Sequence, residues 1–399
     1  MEKVVIVEAV RTPIGKIGGT LKSIKPEKLT ETVLRGVIDK IKLDKSLINE
    51  VIIGQAKQSC DAPNIARVAS LMADIPEDIP AYTVHRQCAS GMQAIANAMM
   101  QIQIGYSDIV LAGGVESMST AQFYIRGARY GLGNGNTFLI DPNTESQPKS
   151  QPKSKYGEFN MIQTADNVAH KYNISREYQD EFAYKSQIKA IEAIDNNKFK
   201  DEIVSVEVKD RKGNINVFEN DEYPRRSTSL KKLAKLKPIF EPGTVTAGNA
   251  SGRNDGASAL VIMSLKKARQ LHIEPLCEII GVEASGADPR LMGIGPIYST
   301  NKLLKKLNMK TEHFELVEIN EAFAAQTIAC INELKINKDR VNVNGGAISL
   351  GHPLGCSGAR ISTTLIHEMK KRNVKYGLAT LCVAGGMGMS IAFKNIQDL

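Results

Sequence analysis

Short apolar runs alternate with longer stretches of helical period along the first hundred residues. Val4–Ala9 reads as a strand, Glu27–Ile41 as a helix, Glu50–Ile53 as a short strand, and Ile65–Met72 and Ser90–Ile104 as helices. Ala81–Val84 is another strand-like run, and Asp108–Ala112 is an apolar run closed by Gly113-Gly114. Buried strands appear as continuous apolar runs and surface helices as a 3.6-residue stripe, so the alternation predicts a layered α/β fold with buried sheets.

The pattern changes near Ser119. Gln122–Ser154 is rich in Gly, Asn, Pro, Ser and Lys and predicts a long loop. Two polar helices follow, Gln163–Tyr172 and a second from Ser175 to Asn196 whose start Ser175 and Tyr178 frame. Ile203–Lys209 and Ile215–Phe218 predict a hairpin around Lys212-Gly213-Asn214. Thr246 resumes the first theme: residues 248–252 lead into a strand at Ala257–Met263, and a new α/β unit starts with Cys277–Val282. The expected organisation is an N-terminal half over residues 1–119, an inserted loop domain over 120–245, the rest of the N-terminal half over 246–270, and a C-terminal half over 271–399.

An internal repeat supports two halves. Cys88-Ala89-Ser90-Gly91 opens a helix ending at Gly105, followed by Asp108–Ala112 and Gly113-Gly114. Gly355-Cys356-Ser357-Gly358 opens a helix ending near Asn373, followed by Leu378–Ala384 and Gly385-Gly386. Two copies of one supersecondary unit suggest a duplicated domain with a site between the halves.

The 399 residues are long enough for two or three compact units, and 42% apolar with 24% charged residues is ordinary for a globular chain. Aromatics are only 5%, Trp is absent and there are 32 glycines, so close backbone packing takes the place of a bulky aromatic core. Lysine plus arginine exceeds aspartate plus glutamate, 51 to 43. The charge is mostly interspersed, except for Arg225, Arg226, Lys231, Lys232, Lys235 and Lys237, which have no acid between them. With no nucleic-acid signature, a phosphate-bearing small molecule is a better partner for this stretch than nucleic acid, and a plain solvated face is the alternative.

The six cysteines form no C-x-x-C pair, which suits reduced thiols in a cytosolic protein. The chain enters a strand at Val4 with no leader pattern, and the uncharged stretch Gly377–Phe393 is too short and glycine-broken to span a bilayer. A cytoplasmic protein without a membrane span is expected.

Four positions carry candidate chemistry. Cys88 follows a strand and immediately precedes a helix, where the dipole lowers a thiol pKa; a small buried apolar cysteine suits the same place. His352 lies in the turn Gly351-His352-Pro353 that enters the second-half helix, in the repeat unit mirroring that of Cys88. If the halves pack face to face, the two turns meet and a Cys–His pair results. Cys382 ends an apolar strand before a glycine turn, and Cys356 is taken as structural. Asn320 follows the strand Leu316–Ile319 and is expected to begin a helix, where its amide either holds a water or a carbonyl oxygen or caps the helix. No spacing matches a zinc site.

Four motifs taken together resemble the thiolases, in order and over nearly the whole chain: Cys88-Ala89-Ser90-Gly91, Asn320-Glu321-Ala322-Phe323-Ala324, the run Gly351–Arg360, and Cys382-Val383-Ala384-Gly385-Gly386-Met387-Gly388. The opening Glu8–Gly15 and the segment Thr244–Gly252 also look like thiolase landmarks. The resemblance implies a five-layered αβαβα fold of two similar halves with an inserted loop domain. It implies an acyltransferase without a permanently bound cofactor, taking coenzyme A thioesters as substrates. Cys88 would carry the acyl group, His352 would take its proton and help bind an oxyanion, and Cys382 would act as general acid/base. Asn320 would hold an oxyanion-binding water, and the backbone N–H groups of Ala384 and Cys88 would bind the other oxyanion. Arg225, Ser251, Met161 and Phe323 match substrate-binding positions.

The resemblance leads to an acetyl-CoA C-acetyltransferase, with a degradative 3-ketoacyl-CoA thiolase of longer chains as the alternative. Arg86-Gln87 leans towards degradative members, and Met161 with Leu291-Met292-Gly293 towards a short acyl pocket. A homotetramer is expected from the family and from the loop Gln122–Ser154, which is too poor in apolar residues for a core of its own. The chain departs from the family pattern at His85, Asn160 and Ala384, where Asn, His and Gly are usual.

Overall fold

A computed structural model describes residues 2–396. The first half begins β1 (Val4–Arg11), α1 (Pro26–Ile41), β2 (Glu50–Gly54), α2 (Ile65–Met72), β3 (Ala81–Val84), α3 (Ser90–Gln103) and β4 (Ile109–Ser117). After an excursion that carries α4 (Met161–Lys171) and α5 (Arg176–Asp195), the half closes with β5 (Asn254–Ser264). The second half comprises β6 (Cys277–Gly286), α6 (Gly295–Leu307), β7 (Leu316–Ile319), α7 (Ala324–Glu333), α8 (Leu354–Arg372), β8 (Tyr376–Val383) and β9 (Met387–Asn395).

The strands run in the order β7-β8-β9-β6-β1-β5-β4-β2-β3. The two halves repeat one topology. In the first, β2 and β4 are parallel, β4 and β5 antiparallel, and β5 and β1 antiparallel. In the second, β7 and β8, β8 and β9, and β9 and β6 repeat those three senses. The half-sheets meet through a short ladder, Val5 to Glu278 and Ile6 to Cys277.

Helices α3 and α8 lie between the half-sheets, in a core that draws Ile95, Val110, Ile262, Leu365 and Leu381 together. The outer face of the first half buries Leu29, Val33 and Val37 of α1 against Val51, Leu111 and Val261. The outer face of the second buries Leu303 of α6 and Ile328 of α7 against Ile319, Leu378 and Ala392. The stacking is helix, sheet, helix, sheet, helix. Five layers arise because both faces of each half-sheet are apolar and each needs a helix layer.

Three expectations need correction. Gly113-Gly114 does not close a strand but lies inside β4, which runs to Ser117. A Cβ on Gly113 would stand 2.1 Å from the Ser258 carbonyl oxygen, and one on Gly114 would stand 2.1 Å from that of Gly355. These glycines permit close approach; they do not turn the chain. Asn320 does not begin a helix: α7 starts at Ala324 with Phe323 at the capping position. The stretch Gln122–Ser154 is not all loop, since it holds short helical turns at Ala128–Tyr130, Pro142–Glu145 and Lys153–Tyr156. Among the described residues, no helix is long and apolar enough to cross a membrane.

Candidate active site

The site forms where α3 and α8 meet. A Cβ on Gly91 would lie 2.9 Å from the Ala359 nitrogen and from the Gly355 oxygen, and one on Gly358 would lie 2.6 Å from the Met92 nitrogen. Hydrogen side chains let the two helix starts touch. Cys88 stands two residues ahead of α3 and His352 two ahead of α8. Contact between the helices therefore brings both turns to one cavity.

That cavity, of about 630 Å³, is lined by Cys88, His352 and Cys382, and by Met161, Phe323, Ser251 and Arg225. Seven of the nine residues singled out from the sequence thus share one space. The other two, Asn320 and Ala384, are buried beside it. The Asn320 amide nitrogen approaches the His352 ring, 3.4 Å from Nε2 and 3.5 Å from Nδ1. Its Oδ1 is buried without a hydrogen-bond partner among the described residues. The N–H of Ala384 reaches the Cys88 thiol, as does the N–H of Cys88 itself.

Each wall has a local cause. Ser251 is placed by its N–H, which donates to the Ala322 carbonyl at 3.0 Å, and by a bridge between Ala250 and Phe323. Asn160 caps α4, accepting from Gln163 N at 3.0 Å, and so sets Met161 on the first turn at the cavity wall. Of the basic run, only Arg225 lines the cavity; Arg226 is paired with Asp195 at 2.5 Å and points its charge elsewhere.

The chain matches the thiolase N-terminal domain over residues 4–266 and the thiolase C-terminal domain over residues 273–395. The chain belongs to the thiolase family. It is 44% identical to an acetyl-CoA acetyltransferase of Pseudomonas aeruginosa, covering 98% of this chain and 99% of that one. The crystal structure of Bacillus anthracis acetyl-CoA acetyltransferase superposes with a TM-score of 0.96 at 44% identity, over 99% of both chains. Human mitochondrial 3-ketoacyl-CoA thiolase superposes with a TM-score of 0.94 at 39% identity, again over 99% of both.

Burial favours the neutral form of the three titratable side chains Cys88, His352 and Cys382 that line the cavity. Burial pushes the Cys88 thiol up to about 11, against the pull of the two backbone N–H groups and the Lys57 ammonium. The expectation of a lowered pKa is therefore corrected: desolvation outweighs the helix start. Burial, with the Arg360 guanidinium, pushes His352 down to about 3. Cys382 is raised well above an ordinary thiol by burial and by its neighbour Cys88.

The tautomer of His352 follows from its partners. Ser357 Oγ–H donates to the Pro353 carbonyl at 2.8 Å, so the same oxygen accepts from His352 Nδ1–H at 2.6 Å. The free lone pair is on Nε2. The His352 backbone N–H donates to Asn254 Oδ1 at 3.0 Å, which fixes the turn.

Several positions that hold the cavity's turns escaped the sequence reading. Ser357 and Asn254 hold His352. Glu116, fully buried near the end of β4, accepts from the N–H groups of Ala56 and Lys57, each at 3.1 Å, and of Gly355 at 3.0 Å. Burial raises its carboxyl to about 7 despite these donors. A lone acid in an otherwise apolar strand was the signal available for Glu116.

Proposed function

We propose that this thiolase is an acetyl-CoA C-acetyltransferase, joining two acetyl-CoA into acetoacetyl-CoA and CoA through an acyl-cysteine. The supporting observation is the meeting of Cys88, His352 and Cys382 in one cavity, with two N–H groups aimed at the Cys88 thiol.

With thiol and imidazole both neutral, the proton moves as the bond forms. Cys88 Sγ attacks the thioester carbonyl while its proton passes to the open Nε2 of His352. The oxyanion collapses, CoA leaves as the thiol with that proton, and acetyl-Cys88 remains. A second acetyl-CoA enters, Cys382 passes its thiol proton to the vacated Nε2 of His352, and the Cys382 thiolate removes a proton from the substrate's methyl carbon. The carbanion attacks the acetyl-Cys88 carbonyl. The resulting tetrahedral oxyanion falls to the N–H groups of Cys88 and Ala384. The enolate oxygen of the second substrate falls to the proton that His352 Nε2 took from Cys382, and to a water held by Asn320. Collapse expels Cys88, which takes the proton back from His352 Nε2, and releases acetoacetyl-CoA, with Cys382 left as the thiol; run backwards, the same groups cleave a 3-ketoacyl-CoA. Arg225 faces CoA phosphate, and Ser251, Phe323 and Met161 face pantetheine and acyl group.

Two coarser parts of this reading concern assembly and place. Phe123, Tyr130, Leu132, Phe138 and Leu139 expose large apolar surface on one segment, which supports self-association as a homotetramer. Six free cysteines support a reducing, cytoplasmic setting. The deciding experiment is mass spectrometry after mixing with acetyl-CoA, beside thiolysis of acetoacetyl-CoA. One labile acetyl group on the Cys88 peptide is expected; acetylation elsewhere would overturn the assignment.

A further inference from the structure

Lys57 is a charged residue in an unusual place. It follows β2, is almost wholly buried, and does not itself line the cavity. Its ammonium donates to the Pro142 carbonyl at 2.6 Å, to Gln147 Oε1 at 3.2 Å and to Ser146 Oγ. An ammonium has three N–H donors, and all three are spent on one short segment. No donor is left for a substrate carboxylate, so this cation shapes the site and does not bind substrate.

The segment it holds is a wall of the cavity. Asn143, Thr144, Gln147 and Pro148 line the same space as Cys88 and His352. The segment's other side-chain ties are Asn143 Nδ2 donating to the Met118 carbonyl at 2.9 Å, Asp141 capping the turn through Asn143 N, and an exposed ion pair of Glu145 with Arg126 at 3.1 Å. At its other end Lys57 is fixed by Glu116, whose carboxylate accepts the Lys57 N–H and also the Gly355 N–H, three residues after His352. Glu116 and Lys57 thus join the His352 turn to the 142–147 wall. The charged and titratable groups that Lys57 faces are Glu116, Cys88, Asp141 and Arg253.

We infer that Lys57 is a positioning residue that sets acyl-chain selectivity, by fastening the 142–147 wall to the Glu116-held floor of the catalytic turns. Desolvating an ammonium costs free energy unless every donor is met, so the contact is held at one geometry. A wall fixed that way fixes how much acyl chain fits beside Cys88.

The inference rests on the thiolase reading for its substrates, but part of its test does not. In the full-length Lys57→Met variant, hydrogen exchange of peptides covering 142–147 should speed up with no substrate present. Thiolysis of acetoacetyl-CoA should fall relative to 3-ketooctanoyl-CoA, shifting the ratio of their kcat/KM values on the order of tenfold, the range by which apolar pockets discriminate added methylenes. Lys57→Arg, keeping charge and donors, should restore the parent ratio. If Lys57→Met is insoluble, Ser146→Ala removes one acceptor from the wall side and should shift the ratio in the same direction. Unchanged exchange at 142–147, or equal loss on both substrates, would overturn the inference. Failure of the unmodified protein to cleave acetoacetyl-CoA would instead strike the thiolase reading, and the exchange result would still decide the role of Lys57.

Discussion

The connection from β4 to β5 and the connection from β8 to β9 occupy the same place in the two halves. The first runs over residues 118–253; the second is the three-residue hairpin Ala384-Gly385-Gly386. The long one carries Met161, Arg225 and Ser251 to the cavity. The short one turns the Ala384 N–H onto the Cys88 thiol, with Gly385 at φ 91° and Gly386 at φ 77°. The strand ends differ in the same sense. Glu116 pairs across the strands with Gly256, and Cys382 pairs with Gly388. One half has a buried carboxylate there that holds backbone, and the other a buried thiol that lines the cavity. A duplicated scaffold supplies the placement; at matched positions one half holds backbone through Glu116 and the other lines the cavity with Cys382.

The sharpest way to test this division is at Cys382. Cys382→Ser keeps the shape but raises the pKa far above that of a thiol. Acetylation of Cys88 should persist, while exchange of acetyl-CoA methyl protons with solvent should fall by about 10²–10⁴, the usual effect of losing a general base. Exchange at the parent rate would make Cys382 a core residue, like its counterpart Glu116 a holder of structure.

The hairpin comes next. In Gly386→Ala the new Cβ would lie 2.5 Å from the Ala287 carbonyl oxygen, at a φ that L-residues rarely adopt. The turn must shift and carry the Ala384 N–H off the thiol. Loss of one oxyanion donor lowers kcat by about 10²–10³. An Ala substitution at Gly133, in the long connection with φ 63° and open space around it, should leave kcat within a few-fold of the parent. Equal losses at the two glycines would erase the distinction between the connections.

A smaller effect is expected at Ser357. Ser357→Ala removes the acceptor that holds His352 Nδ1–H, at a net cost of about 0.5–1.5 kcal/mol, or roughly two- to tenfold in kcat/KM. The His352 side-chain 15N shifts should move towards a tautomer mixture. A pure Nε2-unprotonated imidazole in the variant would show that another group sets the tautomer.

Much of this was legible in the sequence because the informative signals are local. Apolar runs marked the strands, and Ala81–Val84, Ile65–Met72 and Leu316–Ile319 coincide with the observed elements. The small-residue turns at Cys88 and His352 marked the contact between halves. What sequence could not supply was set by distant neighbours. Gly113-Gly114 reads as a turn unless Ser258 and Gly355 are known to press on it. The thiol pKa reads as lowered by the helix start unless its full burial is known. Glu116 and Lys57 act through backbone N–H and carbonyl groups, which carry no residue signature.

The last effect expected is one of stability and not of rate, at His352. Its native pKa of about 3 lies below the ordinary histidine value of about 6.5 that the unfolded chain retains. Above that ordinary value neither state binds the proton, and the full stability is present. As pH falls below it, the unfolded chain takes up a proton that the native site refuses, so stability drops until about pH 3. For one group the slope reaches about 1.4 kcal/mol per pH unit, or about 2 kcal/mol between pH 7 and pH 5. Glu116, raised to about 7, and Glu318, raised to about 8, act in the opposite sense, because the native state holds their protons more tightly as pH falls. The whole-protein profile therefore mixes both signs, and only the difference between variant and parent isolates the imidazole. His352→Gln should lose less stability than the parent between pH 7 and pH 5, as read from urea midpoints at each pH. Parallel profiles would mean that His352 accepts a proton in the native state at ordinary pH, and that the neutral base assigned to the second half of the duplication is not neutral.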